Sequence, residues 1–230
     1  MSPWLRPRER TQELRYGLRL GAGLAVAVFV LALSFGTIAV AAGWPGWLVV
    51  LMSAITFAGG AQFALIVAFA DGGLLAALGA ATLMNLRFVP MGMTAGRAFV
   101  GGLWARSLQS QAVVDGSWVI ARRPDGSFSR LIMLVASIMQ WLAWVGGTAV
   151  GAYLTPDLQL VSTLGLDVVF PAFFLMFILD SLKSEPRYRI SVVAAALIVG
   201  LMCWFVAPGV ALVTAAAAAP IALHNSKGTS

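Results

Sequence analysis

Three short stretches set polar or charged side chains inside long apolar runs, and any chemistry has to be sought there. The first is Asn85-Leu86-Arg87, within TLMNLRFVPMGM. A guanidinium stays protonated in any protein setting. Carrying a charge to bilayer depth costs at least about 2.5–3.5 kcal/mol, so Arg87 must meet an anion or a wet cavity. Pro90, three residues on, frees backbone carbonyls near the same depth. One reading is an arginine that binds a carboxylate ligand. The other is a buried pair with an aspartate, or snorkelling to the interface.

The second stretch is Phe57-Ala58-Gly59-Gly60-Ala61-Gln62-Phe63. Adjacent glycines permit backbone that other residues resist. A helix broken inside the membrane presents unpaired N–H groups of positive dipole character, suited to carboxylates. Gln62 adds a donor and an acceptor. Close packing through small residues is the plainer alternative.

The third is Gly165-Leu166-Asp167-Val168-Val169-Phe170-Pro171. Asp167 precedes by four residues a proline that kinks a helix. It has four open readings: an ammonium ligand, a proton carrier, a partner for Arg87, or a helix cap near the outer interface. Asp71, beside Gly72-Gly73, reads as a turn residue. Asp180 reads as a solvated helix-end charge, and Asp115 as a solvated carboxylate with a cytoplasmic gate as the alternative. Cys203 is the single cysteine and lies mid-run in LIVGLMCWFVA, so no disulfide framework or cysteine metal cluster is expected. His224, the one histidine, follows the last apolar run. No metal or cofactor is expected.

The elements that must hold these residues follow from composition. Of the 230 residues, 60% are hydrophobic and only 10% charged, against about 25% in a soluble domain. Mean hydropathy is +0.90. The chain therefore reads as an all-α integral membrane protein. A pI near 10.4 does not signal nucleic-acid binding, because the basic residues sit at the ends of apolar runs, where membrane anchoring explains them.

About 20 apolar residues span a bilayer, and the candidate helices are 17–42, 46–70, 73–97, 130–154, 158–182, 189–206 and 208–223. None shows the alternation of a membrane β-barrel. The expected organisation is a cytoplasmic segment 1–16, one transmembrane domain 17–223 and a polar tail 224–230. Residues 101–129 are the cytoplasmic connection, in which 103–121 suits a helix lying at the interface. Five arginines precede residue 20, five more fall between 97 and 130, and Lys183, Arg187 and Arg189 share one loop. The turns at 43–46, 71–72, 155–157 and 207–209 carry none. Seven ordinary crossings cannot put all these charges on one side, as the positive-inside rule asks. They do so if 46–70, interrupted at 57–63, dips in and returns. About six to seven transmembrane helices result, one of them a re-entrant or broken element, with both termini cytoplasmic. Non-helical backbone at that depth requires protein or a water-filled cavity around it.

Met52-Ser53 with FAGGAQF at 57–63, NLRF at 85–88 and GLDVVFPAFF at 165–174 together resemble the AzlC-type permeases, the large subunits of branched-chain amino-acid exporters. The resemblance spans roughly residues 15–220. It implies ion-gradient-driven export of leucine, isoleucine, valine or similar amino acids across the bacterial cytoplasmic membrane. It also implies a hetero-oligomer with a small AzlD-type membrane subunit. Two positions depart from the family's habit. Its frequent acidic pair is here Asp115 followed by Gly116 and Ser117, and its His or Tyr after NLR is here Phe88.

The resulting expectation is a secondary transporter. Arg87 would hold the substrate carboxylate with the Gly59-Gly60 backbone, and Asp167 or exposed carbonyls would meet the ammonium. Phe57, Phe63, Met84 and Phe88 would line an apolar pocket, and Asn85, Gln62 and Pro171 would complete the site. An intramembrane enzyme would want paired carboxylates or histidines near the membrane face, and the sequence has no such cluster. A non-transporting assembly subunit would have no use for interrupted helices, and a channel would want a charged ring or a filter motif.

Overall fold

The computed structural model describes residues 7–154, 179, 189–202 and 204–205. The expected runs 158–182, apart from Leu179, and 208–223 lie outside the described residues, as do Asp167, Pro171, Asp180, Cys203 and His224. The described part is all-α: no strand occurs in it beyond an isolated bridge between Arg122 and Phe128. Three of its helical segments, Arg10–Ala41, Gly72–Ala98 and Arg130–Leu154, are long and apolar enough to cross a membrane.

Helix α1 (Pro7–Ala41) starts ahead of the apolar run at 17, so the arginine-rich segment forms its first turns. It packs along α7 (Arg130–Leu154). Their axes come so close that a Cβ added at Gly147 would lie 2.8 Å from Ala32 Cβ. Small residues permit this approach, which dispersion rather than hydrophobicity must reward inside a bilayer. The Thr37 hydroxyl donates to the Gly151 carbonyl across the seam at 3.1 Å. Gly17 lies against Ile132, Gly21 against Ala136 and Gly36 against Thr148. The register rises together along both helices, so α1 and α7 run parallel.

The expected interruption is present, and it lies at Phe57 rather than at the glycines. Helix α2 (Gly46–Thr56) ends where Phe57 takes the left-handed conformation, φ 37° and ψ 49°. Helix α3 (Gly59–Asn85) begins two residues later and breaks again at Gly73, φ 65° and ψ −165°. A non-glycine side chain rarely adopts the conformation of Phe57, so the surrounding packing must hold it. The two apolar pieces Gly46–Thr56 and Gly59–Ala70 are each about half as long as a bilayer is thick. Trp44, just before α2, meets Phe69, near the end of the second piece, ring centroids 5.3 Å apart. The chain thus enters, turns at Phe57-Ala58 and returns to its starting level. Residues 46–70 form a re-entrant helical hairpin.

The following span, Gly72–Ala98, runs back to the arginine-rich end. It includes the second part of α3, a turn at Leu86-Arg87, and α4 (Phe88–Ala95). Pro90 sits in the first turn of α4, where its missing N–H costs no helical bond. At the arginine-rich end Ala95, Phe99, Ala112, Val113, Phe128 and Met133 form a compact cluster. Beside it Glu13 of α1 binds Arg123 and, at 2.8 Å, accepts from the Ser129 hydroxyl.

The single interfacial helix expected over 103–121 is split in two. Helix α5 (Leu103–Ser110) exposes Leu103, Trp104 and Leu108, as an interfacial helix does. After a turn at 111–114, α6 (Asp115–Ala121) is tucked in against α1 and α7. The buried Ser117 hydroxyl holds that turn, accepting from the Val114 N–H at 3.2 Å. Helix α8 (Arg189–Met202) is an apolar helix.

Candidate functional site

The hairpin tip and α6 approach each other from opposite ends of the α1–α7 pair and leave a cavity of about 330 Å³ between them. Leu24, Val28 and Leu31 of α1 supply one wall, Phe57 to Gly60 of the hairpin tip another, and Gln140 and Trp144 of α7 a third. Gln140 lies ten residues into α7, so the cavity sits roughly 15 Å along that helix, half of a bilayer's hydrocarbon thickness. Its surface is almost wholly apolar. Arg87 and Asp115 are the two charged side chains in its lining.

Arg87 Nη2 lies 2.9 Å from an Asp115 carboxylate oxygen. The guanidinium carbon also stands 5.1 Å from the centre of the Phe88 ring, a cation–π distance. Arg87 Nε is buried with no hydrogen-bond partner, and an orphaned buried donor of this kind is costly to leave unmet. Asp115 is therefore not the solvated carboxylate that its place in a polar connection suggested. Burial pushes its carboxyl above the ordinary value of 3.8, and the Arg87 charge opposes that rise. Of the readings open for Arg87, an ion pair with an aspartate is present, and the aspartate is Asp115.

The tip presents the start of α3 to the same cavity. Gln62 N–H bonds the Ala58 carbonyl at 3.0 Å, and Ala58 brings no side-chain cap. The first N–H groups of α3 thus lack helical partners and carry the positive end of the helix dipole. Gly59 is glycine because of its neighbour: a Cβ there would stand 2.6 Å from the Trp144 ring.

Gln62 is committed to the scaffold. Its Nε2 donates to Ser53 Oγ at 3.1 Å, and its Oε1 accepts the Trp144 indole N–H at 2.8 Å. Ser53 and Thr148 hydroxyls share a 2.9 Å bond, and Thr148 passes its own proton to the Trp144 carbonyl at 2.8 Å. The donors run one way from Gln62 through Ser53 and Thr148, and each group is satisfied. A network of that kind rigidifies the element it holds. Trp141 completes the attachment, donating at 3.0 Å to the Ala54 carbonyl near the end of α2.

Of the residues singled out in the sequence, Phe57, Gly59, Gly60, Arg87 and Phe88 come together in the cavity lining. Asn85 is the half-buried last residue of α3, and neither it nor Met84 is in that lining. Phe63 is buried in the core instead, edge-on to Phe35 with centroids 5.1 Å apart. Asp115, expected as a solvated carboxylate or a gate, and Trp144 also line the cavity. A signal for Trp144 was there: Ser137, Gln140, Thr148 and Gly151 recur with it at helical spacing in an otherwise apolar span, marking one face of α7 as a protein-facing seam.

A protein-family model described as AzlC protein matches residues 23–156. The chain belongs to the AzlC family. The AzlC match runs from α1 to the end of α7, and every residue lining the cavity falls inside it. AzlC is a transport-associated family of membrane proteins, and with its spanning helices this AzlC chain is a multi-pass membrane protein. No curated protein and no solved structure matches the chain.

Proposed function

We propose that the chain is the large subunit of a secondary active transporter that exports branched-chain or similar hydrophobic amino acids across the bacterial cytoplasmic membrane, driven by an ion gradient such as protons. One observation carries this reading: an arginine with an orphaned Nε stands in a mid-depth apolar cavity facing the uncapped start of a re-entrant helix. A substrate carboxylate would meet Arg87 and the N–H groups of Gly59 and Gly60, where charge and dipole act together. The aliphatic side chain would lie against Leu24, Leu31, Phe57, Phe88 and Ile120. A pocket of this type discriminates by only about 1–3 kcal/mol per methylene, so several hydrophobic amino acids would be carried.

The arginine-rich end, with Arg10, Arg15, Arg19, Arg97, Arg106, Arg122, Arg123 and Arg130, would face the cytoplasm under the positive-inside rule. Both termini would lie on that side, and residues 17–223 would form one transport domain. A small AzlD-type membrane subunit would complete the exporter.

The test is efflux of branched-chain amino acids from dipeptide-loaded cells expressing the chain, with and without the adjacent small membrane gene. Efflux that needs both chains and collapses with an uncoupler is the expected result. Efflux from this chain alone would remove the obligate partner. No efflux with both proteins in the membrane would withdraw the substrate.

A further inference from the structure

We infer that Asp115 is the ammonium-binding residue of the same cavity, and that the Arg87–Asp115 ion pair is opened by a zwitterion that answers both of its charges. This rests on the transport reading and adds to it a residue whose type and spacing suggested only a solvated carboxylate or a gate.

The argument begins with charge balance. The cavity holds one guanidinium and one carboxylate, 2.9 Å apart, and its remaining walls are apolar apart from Gln140. A ligand carrying only a carboxylate would draw Arg87 away and leave the half-buried Asp115 without its counter-charge. Breaking a half-buried pair in this way is unfavourable. A ligand carrying only an ammonium would strand Arg87 in the same way. An α-amino acid brings both charges on one carbon, so each member of the pair exchanges its partner for a new one and the site stays neutral. The wide charge separation of a longer zwitterion would not match two groups already in contact.

The placement of Asp115 supports the role. It opens α6, the element of the 101–129 connection that packs against both α1 and α7. Gly116 lets α6 come in this far: a Cβ there would stand 2.5 Å from Gln140 Oε1 and 3.0 Å from Leu24. Gln140 spends an amide N–H on the Ala136 carbonyl at 3.1 Å, which turns its oxygen, an acceptor suited to a cation, toward α6. The carboxylate-binding half of the site thus comes from the hairpin tip and Arg87, and the ammonium-binding half from α6. The two halves enter from opposite ends of the bundle.

The test compares L-leucine, its keto acid 4-methyl-2-oxopentanoate and isoamylamine as ligands of the full-length chain in nanodiscs, with the adjacent small membrane protein co-expressed. Binding and ligand-induced thermal protection are read for the wild type, Asp115→Asn, Asp115→Glu and Arg87→Ala. The wild type is expected to prefer leucine over the keto acid on the order of tenfold or more, the scale of a hydrogen bond to a charged group. Asp115→Asn should erase that preference while keeping keto-acid binding, Asp115→Glu should restore part of it, and Arg87→Ala should lose both ligands. A wild type that binds leucine and keto acid equally overturns the assignment and leaves the transport reading standing. So does an Asp115→Asn protein that loses both equally, since Asp115 would then only position Arg87. Should Asp115→Asn fail to fold, the wild-type preference and its partial retention in Asp115→Glu decide. Binding of none of the three ligands to the wild type overturns this assignment and the transport reading together.

Discussion

Arg87 and Asp115 meet at 2.9 Å across a cavity that neither of their own helices encloses. The one stands at the turn between α3 and α4, the other at the start of α6. The contact joins the returning span to the inserted connection and puts both charges of the cavity in one place. Replacing Arg87 by Ala should remove export at unchanged membrane levels, and Arg87→Lys should retain only a minor part. Lysine keeps the charge but lacks the planar fork that can hold two anions at once. Efflux rates normalised to immunoblotted protein decide it, and export intact in Arg87→Ala would sink the site.

Asp115 should also set a pH dependence of stability. Burial raises its carboxyl above the ordinary 3.8, so the fold favours its protonated form. The corresponding stability is fully present below the unfolded-state value and is lost as pH rises through the higher folded-state value. Arg87 from the α3–α4 turn pairs with it, and Leu24 from α1 and Gln140 from α7 line the same cavity. Arg87 is the charged member. Asp115→Asn removes the titration. The difference in Tm, wild type minus Asp115→Asn, should therefore grow as pH falls through that window, and a flat difference would contradict the burial argument.

The hairpin tip depends on a fit between Gly59 and Trp144. Gly59→Ala forces a methyl to within 2.6 Å of the indole and should lower stability by about 1–3 kcal/mol, the usual cost of overpacking. Trp144→Phe deletes the indole N–H that Gln62 accepts, costing about 1–3 kcal/mol on its own. In combination the two should cost less than their sum, because the shorter ring makes room for the new methyl. Thermal unfolding of the four proteins closes the cycle. Strict additivity would mean that the two residues do not touch.

Parallel α1 and α7 make a topological prediction. Single cysteines placed at Gly43 and Gly72 on a Cys203→Ala background should label from the same side of the membrane. Cysteines at Gly102 and Gly126 should label from the other. Labelling of Gly43 and Gly72 from opposite sides would turn the hairpin into an ordinary crossing.

Close approach along the α1–α7 seam should tolerate no bulk. At Gly151 an added Cβ would run into the Leu33 carbonyl and stand 3.0 Å from the Thr37 backbone nitrogen. Gly151→Leu is expected to reduce the folded, detergent-extractable fraction severely. Gly23→Leu, where an added Cβ meets nothing within 4 Å, should be neutral. Fluorescence-detected gel filtration separates the two.

The sequence alone determined what each segment had to be. Apolar runs with too few charges to face water must be membrane helices, and the run at 130–154 appears as α7 with the same bounds. An arginine inside such a run had to find an anion or a cavity, because its charge cannot be given up. The placing of the arginines required that one of the first three runs turn back, and the hairpin over 46–70 meets that requirement. These conclusions follow from the solvent, which acts on every residue regardless of its distant neighbours.

The tertiary structure decided which groups meet. Several aspartates were available to Arg87, and spacing could not choose Asp115, since that choice depends on α6 being tucked in against α1 and α7. The glycines of the hairpin looked like the break, yet the chain turns at Phe57, and Gly59 answers to the Trp144 ring. Gln62 looked like a site residue, but Ser53 and Trp144 take both ends of its amide. Pairings of this kind are set by packing between segments far apart in the chain, where a single close approach outweighs any local preference.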